Sequence, residues 1–178
     1  MHFLINGLPQ TITADGREYA LCCDFRRWIL ITQLLGETQL PPGRKLALMI
    51  KIAGIENCPD DASSLAGALL GFAACGDADA QSGEASAPVF DFDMDGDAIF
   101  AGFWQVYGID LTSVSMHWWK FISLLRSLPH DTEFMSRVAL RTMDLSKIED
   151  DTLRKNLRRA RAKIRLKLKN GENDNTTI

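Results

Sequence analysis

An acidic run in the middle of the chain has the residue types of a calcium site. Its spacing matches positions one, three, five and six of an EF-hand loop, which would be filled by Asp91, Asp93, Asp95 and Gly96. Such a loop also needs a bidentate carboxylate at position twelve, and Gly102 occupies that position. We therefore expect no metal site here and interpret the run as an acidic helix N-terminus, which the helix macrodipole favours.

The two internal histidines lack neighbours of a catalytic or metal-binding type. Neither His117 nor His130 stands in an arrangement of His, Cys and Asp at metal or nucleophile spacing. The sequence also shows no Gly-rich phosphate loop, nucleophile elbow or paired-carboxylate signature. We therefore expect a protein that is not an enzyme and needs no cofactor.

The strongest functional candidate is a basic segment near the end of the sequence. Residues 152–169 contain nine Lys and Arg and no acidic residue, whereas residues 1–151 contain 11 Lys and Arg against 21 Asp and Glu, a balance of −10. A basic arm on an acidic body indicates that the arm binds an acidic surface. That surface could be nucleic acid, a protein partner or another copy of the chain.

The arm has the periodicity of an amphipathic helix, which we predict over residues 149–170. Its apolar stripe is formed by Leu153, Leu157, Ala160, Ile164 and Leu168. Three interpretations of this helix compete. The stripe could pack on its own domain and leave a solvated basic face, the helix could dock on an acidic helical partner, or the basic face could bind nucleic-acid phosphates. Nucleic acid is the least favoured, because the arm has no aromatic residue. The candidate partner-binding residues of the arm are Leu153, Leu157, Arg158, Arg159, Arg161, Ile164 and Arg165.

Two adjacent tryptophans, Trp118 and Trp119, are further candidates for partner binding, because tryptophan is enriched in binding hot spots. Neighbouring residues on a helix point about 100° apart, so both side chains cannot face one flat surface. We expect one indole in the core and the other at the rim of a partner-binding surface.

These candidates would be positioned by a mainly α-helical fold. We predict a compact helical domain of about six helices, with a short N-terminal β-hairpin and a long basic C-terminal helix. The hairpin is expected in the first 22 residues, where apolar and polar residues alternate around the turn dipeptides Asn6-Gly7 and Asp15-Gly16.

Apolar periodicity, capping residues and stop signals predict the six helices. The first three cover residues 24–35, 45–53 and 61–75, the third behind an acidic cap. The fourth follows the acidic run and ends at Tyr107, and the sixth runs from residue 131 to about residue 141. The fifth is expected to begin at a cap formed by Thr112 or Ser113 and to stop at Pro129.

Composition divides the chain into five segments. Residues 1–75 hold the hairpin and the first helices, and a linker at 76–90, rich in Gly, Asp, Ala and Ser, is expected to be flexible. Residues 91–148 form an aromatic-rich helical part that packs on the first. Residues 149–170 form the basic helix, and residues 171–178 are expected to be a disordered tail.

The remaining composition predicts a cytoplasmic protein without a membrane partner. No apolar run reaches the length of a membrane span, and the first residues lack the layout of a signal peptide. The four cysteines include no C-x-x-C pair, so we interpret them as buried free thiols.

Four motifs in the second half are typical of one family. They are Y-G-I-D-L-T at residues 107–112, H-W-W-K-F at 117–121, L-P-x-D-T-x-F at 128–134 and R-T-M-D-L-S-K-I at 141–148. Over about residues 15–168 the sequence resembles the bacteriophage gene-product-fifteen (Gp15) family of tail-gene-cluster proteins.

The resemblance implies a role in tail assembly. Members are similar in size and gene context to small tail assembly chaperones, which hold the tape measure protein soluble until tail tube protein polymerises round it. The implied partners are the tape measure protein and the tail tube protein, and the implied location is the cytoplasm of a bacterial host. Association of the chain with itself into a homo-oligomer is a further possibility. The alternative is a structural minor tail or connector protein that is retained in the virion.

Overall fold

The computed structural model describes residues 3–58, 62–77 and 89–166. Within these residues the protein is mainly helical, with eight α-helices, one 3-10 turn and one two-stranded antiparallel sheet. The predicted mainly helical class with a short N-terminal β-hairpin is therefore confirmed, whereas the described part of the chain has eight helices where about six are predicted. The predicted tail at 171–178, residues 167–170 of the predicted basic helix and most of the predicted linker lie outside the described residues.

The N-terminal hairpin forms at only one of the two turn dipeptides. Strand β1 (Thr11–Ala14) pairs antiparallel with β2 (Arg17–Ala20). The turn residues Asp15 and Gly16 have φ angles of 48° and 71°, as the favoured two-residue hairpin turn requires. Asn6-Gly7 is no hairpin turn, because Phe3–Asn6 form a short helix, α1, which Gly7 follows with a φ of 75°.

The remaining helices follow the predicted order. They are α2 (Phe25–Gly36), α3 (Pro42–Ala53), α4 (Ser63–Ala73), α5 (Gly96–Tyr107), α6 (Trp118–Arg126), α7 (Glu133–Thr142) and α8 (Asp151–Lys163), with a 3-10 turn at Leu145–Lys147 before the last. Three of these helices have an Asp or Thr side chain as N-cap. The side chains of Asp24, Thr132 and Asp150 accept hydrogen bonds from backbone N–H groups in the first turns of α2, α7 and α8. The predicted acidic cap of α4 lies outside the described residues.

Helix α6 begins later than predicted, and its cap is a histidine. Nδ1 of His117 accepts the backbone N–H of Trp119 at 3.0 Å, whereas Thr112 and Ser113 lie in a turn before the helix. The Asp110 carboxylate stabilises that turn by accepting the Thr112 N–H at 2.8 Å and the Thr112 hydroxyl at 2.6 Å. The Thr112 side chain therefore serves a turn rather than a helix start.

One hydrophobic core joins the two halves of the chain. Trp28 of α2, Phe72 of α4 and Phe121 of α6 are all buried in it. The halves also share backbone bonds: the N–H of Phe25 donates to the Met116 carbonyl at 2.9 Å, and the N–H of Trp118 donates to the Cys23 carbonyl at 2.7 Å.

The four cysteines are free, but only Cys23 is buried. Cys58 is exposed, so the expectation of four buried thiols is wrong for this residue. Burial raises the pKa of Cys23 to about 11, with a smaller contribution from Cys22. Burial likewise raises the pKa of Cys75 to about 11, which Arg126 partly offsets.

We predict that Cys58 is alkylated fastest by iodoacetamide in the native protein at about pH 8, because only the thiolate reacts and its thiol is exposed. Cys23 and Cys75 should react more slowly, because at that pH a thiol with a raised pKa is almost fully protonated. Peptide mass spectrometry of a time course measures the three rates. Equal rates for Cys23 and Cys58 in folded protein would contradict the burial of Cys23.

Candidate partner-binding surface

Both candidate tryptophans of α6 lie in the core. Trp118 is 2% exposed and Trp119 is 7% exposed, so the expectation that one would lie at a rim is wrong. Their indole N–H groups donate to the carbonyls of Ala73 and Phe72, each at 2.9 Å. Because the end of α4 lies beside both indoles, two side chains about 100° apart are buried together. Neither indole is available to a partner in this conformation.

The basic helix α8 packs on its own domain by a shallow contact. Half-buried residues along one side face the body, and no residue of the helix is fully buried. Leu157 and Ile164 belong to this side, as their positions in the predicted stripe require, whereas Leu153 is 47% exposed. The helix ends at Lys163 and is shorter than the predicted 149–170.

Arg161, one of the candidate residues, holds α8 on α7. Its Nε donates to the Leu140 carbonyl at 2.9 Å, and its Nη2 donates to the Met143 carbonyl. Carbonyls at the end of a helix have no partner within the helix, so the guanidinium satisfies two acceptors of α7. Arg161 therefore has a structural role in addition to any role in binding.

Three of the predicted arginines surround one open groove of about 540 Å³, between the 3-10 turn and α8. The groove is lined by Leu145, Ser146, Arg158, Arg161, Ala162 and Arg165. Arg158 and Arg165 are exposed, and their side chains make no hydrogen bond or ion pair with another residue that the structure describes. Guanidinium groups so arranged can bind carboxylates in bidentate fashion. Arg159 is also exposed, on a different side of α8.

The acidic run supplies a buried ion pair. Asp95 is fully buried, and its two carboxylate oxygens accept bonds from Arg141 Nη1 at 2.7 Å and Nη2 at 2.8 Å. Arg137 Nη1 lies 3.5 Å from the same carboxylate. The run stands at the N-terminus of α5 as predicted, with Asp97 in the first turn, but the Asp95 side chain makes no capping bond and instead forms this ion pair.

Arg141 connects three distant parts of the chain. Besides Asp95, its guanidinium donates from Nε to the Ile164 carbonyl at 2.8 Å and from Nη1 to the Val89 carbonyl at 3.2 Å. The Ile164 carbonyl accepts this bond just after the end of α8. The arm is therefore attached to the core by a side chain of α7.

The charge state of Asp95 follows from these contacts. Burial raises its pKa, but hydrogen bonds from Arg141, from the Asp91 N–H and from Arg137 outweigh burial, and the pKa is lowered overall. The Asp91 carboxylate, at the first position of the apparent calcium loop, accepts the N–H groups of Asp93 and Met94 at 2.8 and 3.0 Å. The carboxylates of Asp91 and Asp95 thus bind protein groups.

Comparison with known proteins identifies the family. The family model described as Bacteriophage Gp15 protein matches residues 4–166. The chain belongs to the bacteriophage Gp15 family. Membership in the Gp15 family indicates a phage structural or tail-region protein.

Other comparisons of this Gp15-family chain add no relative. Neither the curated proteins nor the solved structures gave a significant match. Among the residues described, no helix has both the length and the apolar character needed to cross a membrane.

Sequence reasoning missed the roles of three residues in this Gp15-family protein. The run that contains Asp95 was interpreted as a helix N-terminus, Arg141 appeared only as the first residue of a family motif, and Trp104, which is 55% exposed, was not among the candidate residues. Spacing alone could not have found the ion pair, because Arg154 and Arg158 lie four residues apart on a helix like Arg137 and Arg141 but have no buried carboxylate beside them in the described structure.

We predict that Arg141→Met lowers the free energy of unfolding by about 3–5 kcal/mol, because it leaves the Asp95 carboxylate buried without its main partner. Urea denaturation measures the change. Lys147→Met is the control: it removes the partner of Asp144 from a pair whose side chains are 82% and 53% exposed, and the midpoint should hardly move. Equal stability of both variants would show that the Asp95 pair is dispensable.

Acid should weaken the fold through the same carboxylate. Because the pKa of Asp95 is lowered on folding, its contribution to stability is complete above its ordinary pKa near 3.8 and is lost as the pH falls through the lower folded pKa. Asp95→Asn should therefore flatten the acid side of the stability profile. Denaturation midpoints between about pH 7 and about pH 2 measure both slopes. Parallel slopes for the two proteins would exclude Asp95 as a source of the acid sensitivity.

Proposed function

We propose that this Gp15-family protein is a phage tail assembly chaperone that keeps the tape measure protein soluble and helps tail tube assembly in the host cytoplasm. The observation that carries the proposal is the open groove lined by Arg158, Arg161 and Arg165, in a chain whose family belongs to the phage tail region.

The groove is suited to acidic side chains of a helical partner. Arg158 and Arg165 make no bond with another described residue, so they can bind incoming carboxylates without breaking contacts of the fold. Arg161 is already bonded to two carbonyls of α7 and gives the groove a fixed wall. A rigid wall and two free guanidinium groups lower the entropic cost of binding.

A chaperone for a long helical chain needs apolar and charged helical faces rather than a reaction centre. Helix α8 supplies such a face, because its inner side is anchored to α7 while Arg158, Arg159 and Arg165 remain exposed. The exposed Leu153, at the start of the same helix, adds an apolar contact for a partner. The tail tube protein is a second partner in this proposal.

The first test is co-expression with the tape measure protein of the same gene cluster, followed by a solubility assay and a pull-down. We expect the tape measure protein to become soluble and to co-purify. The double variant R158E/R165E should lose most of the complex, because two groove cations become anions. The charge-matched control R44E/K51E, at two exposed positions of α3, should retain it.

One outcome would overturn the proposed function, and a second would overturn only the role of the groove. An insoluble tape measure protein, together with this chain at fixed copy number in purified virions, would establish the structural minor tail or connector function. If the soluble complex still forms with R158E/R165E, the protein is a chaperone but the groove is not where the tape measure protein binds.

A further inference from the structure

Helix α5 exposes a pair of aromatic rings on the face that points away from the core. Phe100 is 38% exposed and Trp104 is 55% exposed, while Ile99 and Phe103 of the same helix are buried. The other three tryptophans are buried, so Trp104 is the sole exposed indole of the chain. Two large exposed rings on one helix face indicate a binding surface, because such faces are normally polar.

The aromatic face continues into an anionic end. Asp97 lies three residues before Phe100 and seven before Trp104, so all three share one side of α5, which we call the aromatic stripe. Asp97 and Glu133 both bind Arg137, at 3.0 and 2.9 Å, so two carboxylates share one guanidinium and the end keeps a net negative charge. The hydrogen bond from Arg137 holds the pKa of Asp97 below its ordinary value.

Helix α8 carries a matching cationic row. Lys155, Arg159 and Lys163 follow one another at intervals of four, which places them along one side of the helix. All three are exposed, and within the described residues none of their side chains has a hydrogen bond or ion pair. This basic row does not line the arginine groove.

We propose that the aromatic stripe of one copy binds the basic row of a second copy. Arg159 would lie over the Trp104 ring in a cation–π contact, and one of the two flanking lysines would approach Asp97 and Glu133. The two surfaces match in length, since seven residues of α5 and eight of α8 span about 10 and 12 Å. The long stems of Lys and Arg cover the remaining apolar area.

A second copy is the occupant because the two surfaces lie apart within one chain. Arg161 and the Ile164 carbonyl fix the inner side of α8 to α7, so the basic row faces away from its own body. The charge distribution of the whole chain favours the same contact, with nine basic residues at 152–169 and a balance of −10 before them.

The contact is head-to-tail, because each copy offers both a stripe and a row. Such heterologous interfaces form rings when the rotation closes and open chains when it does not. Mutation of either surface therefore removes every contact in a homogeneous sample. A mixture of a stripe variant with a row variant restores one contact between two copies and stops at a dimer.

Sedimentation velocity of the full chain tests the proposal, without any phage partner. We expect concentration-dependent assemblies at about 50 mM NaCl that weaken at about 500 mM, because the contact joins opposite charges. Trp104→Ala and Arg159→Glu should each raise the dissociation constant about tenfold or more. The matched controls Leu30→Ala, which truncates another exposed apolar residue, and Arg44→Glu should assemble like the wild type. Thermal melting checks that each variant is folded. If Arg159→Glu does not fold, Arg159→Gln replaces it in the same experiment.

The decisive sample is the equimolar mixture of Trp104→Ala and Arg159→Glu, which should form a dimer although neither variant does alone. Trp104 of the Arg159→Glu copy should also become shielded from acrylamide quenching in that mixture. A chain that stays monomeric, an assembly unaffected by either variant, or a mixture that fails to dimerise would overturn the proposal. None of these results bears on tape measure binding, which is tested separately.

Discussion

The ion pair between Asp95 and Arg141 is the interaction on which the arrangement of the second half depends. A fully buried carboxylate is costly to desolvate, and two short bonds from one guanidinium offset that cost only in a fixed geometry. That geometry sets the position of α7 relative to the start of α5. The remaining donors of Arg141 then fix Ile164 and Val89. The basic arm is thus held by polar contacts in addition to the half-buried apolar side of α8.

The arginines of the C-terminal part divide into two groups. Arg137, Arg141 and Arg161 bind carboxylates or carbonyls of the protein itself and hold α5, α7 and α8 together. Arg158 and Arg159 have no such partner in the described structure and are exposed. Charge counting along the sequence treats all five alike, and only the fold separates the structural cations from those available to another molecule.

Local signals made the helices and the hairpin predictable from the sequence. Asp15-Gly16 dictates a tight turn because both residues adopt positive φ, and Asp24 and Gly54 fit the chemistry of a helix start and a helix end. Long-range contacts were not predictable. The burial of Trp119 depends on the glycine at position 76. A Cβ atom at that position would lie 3.1 Å from the indole ring, so a larger residue would crowd it.

The candidate surface was predicted in part for the same reason. Periodicity correctly oriented Leu157 and Ile164 toward the body, but it could not reveal that Leu153 lies beyond the edge of the contact. Interpretation of the acidic run as a helix N-terminus left out the ion pair, because the sequence does not show which cation approaches Asp95 in the folded protein. Fold class follows from local pattern, whereas site assignment needs the tertiary neighbours.

The backbone bonds between residues 23–25 and 116–118 have a consequence for folding. They close a loop of some ninety residues, and the entropy of that closure must be offset before the bonds contribute any stability. Individual helices can form early from local contacts, but Trp28 and Phe121 are buried only after the loop has closed. We therefore expect the two halves to stabilise each other and to unfold in a single cooperative transition, although a composition break separates them along the chain.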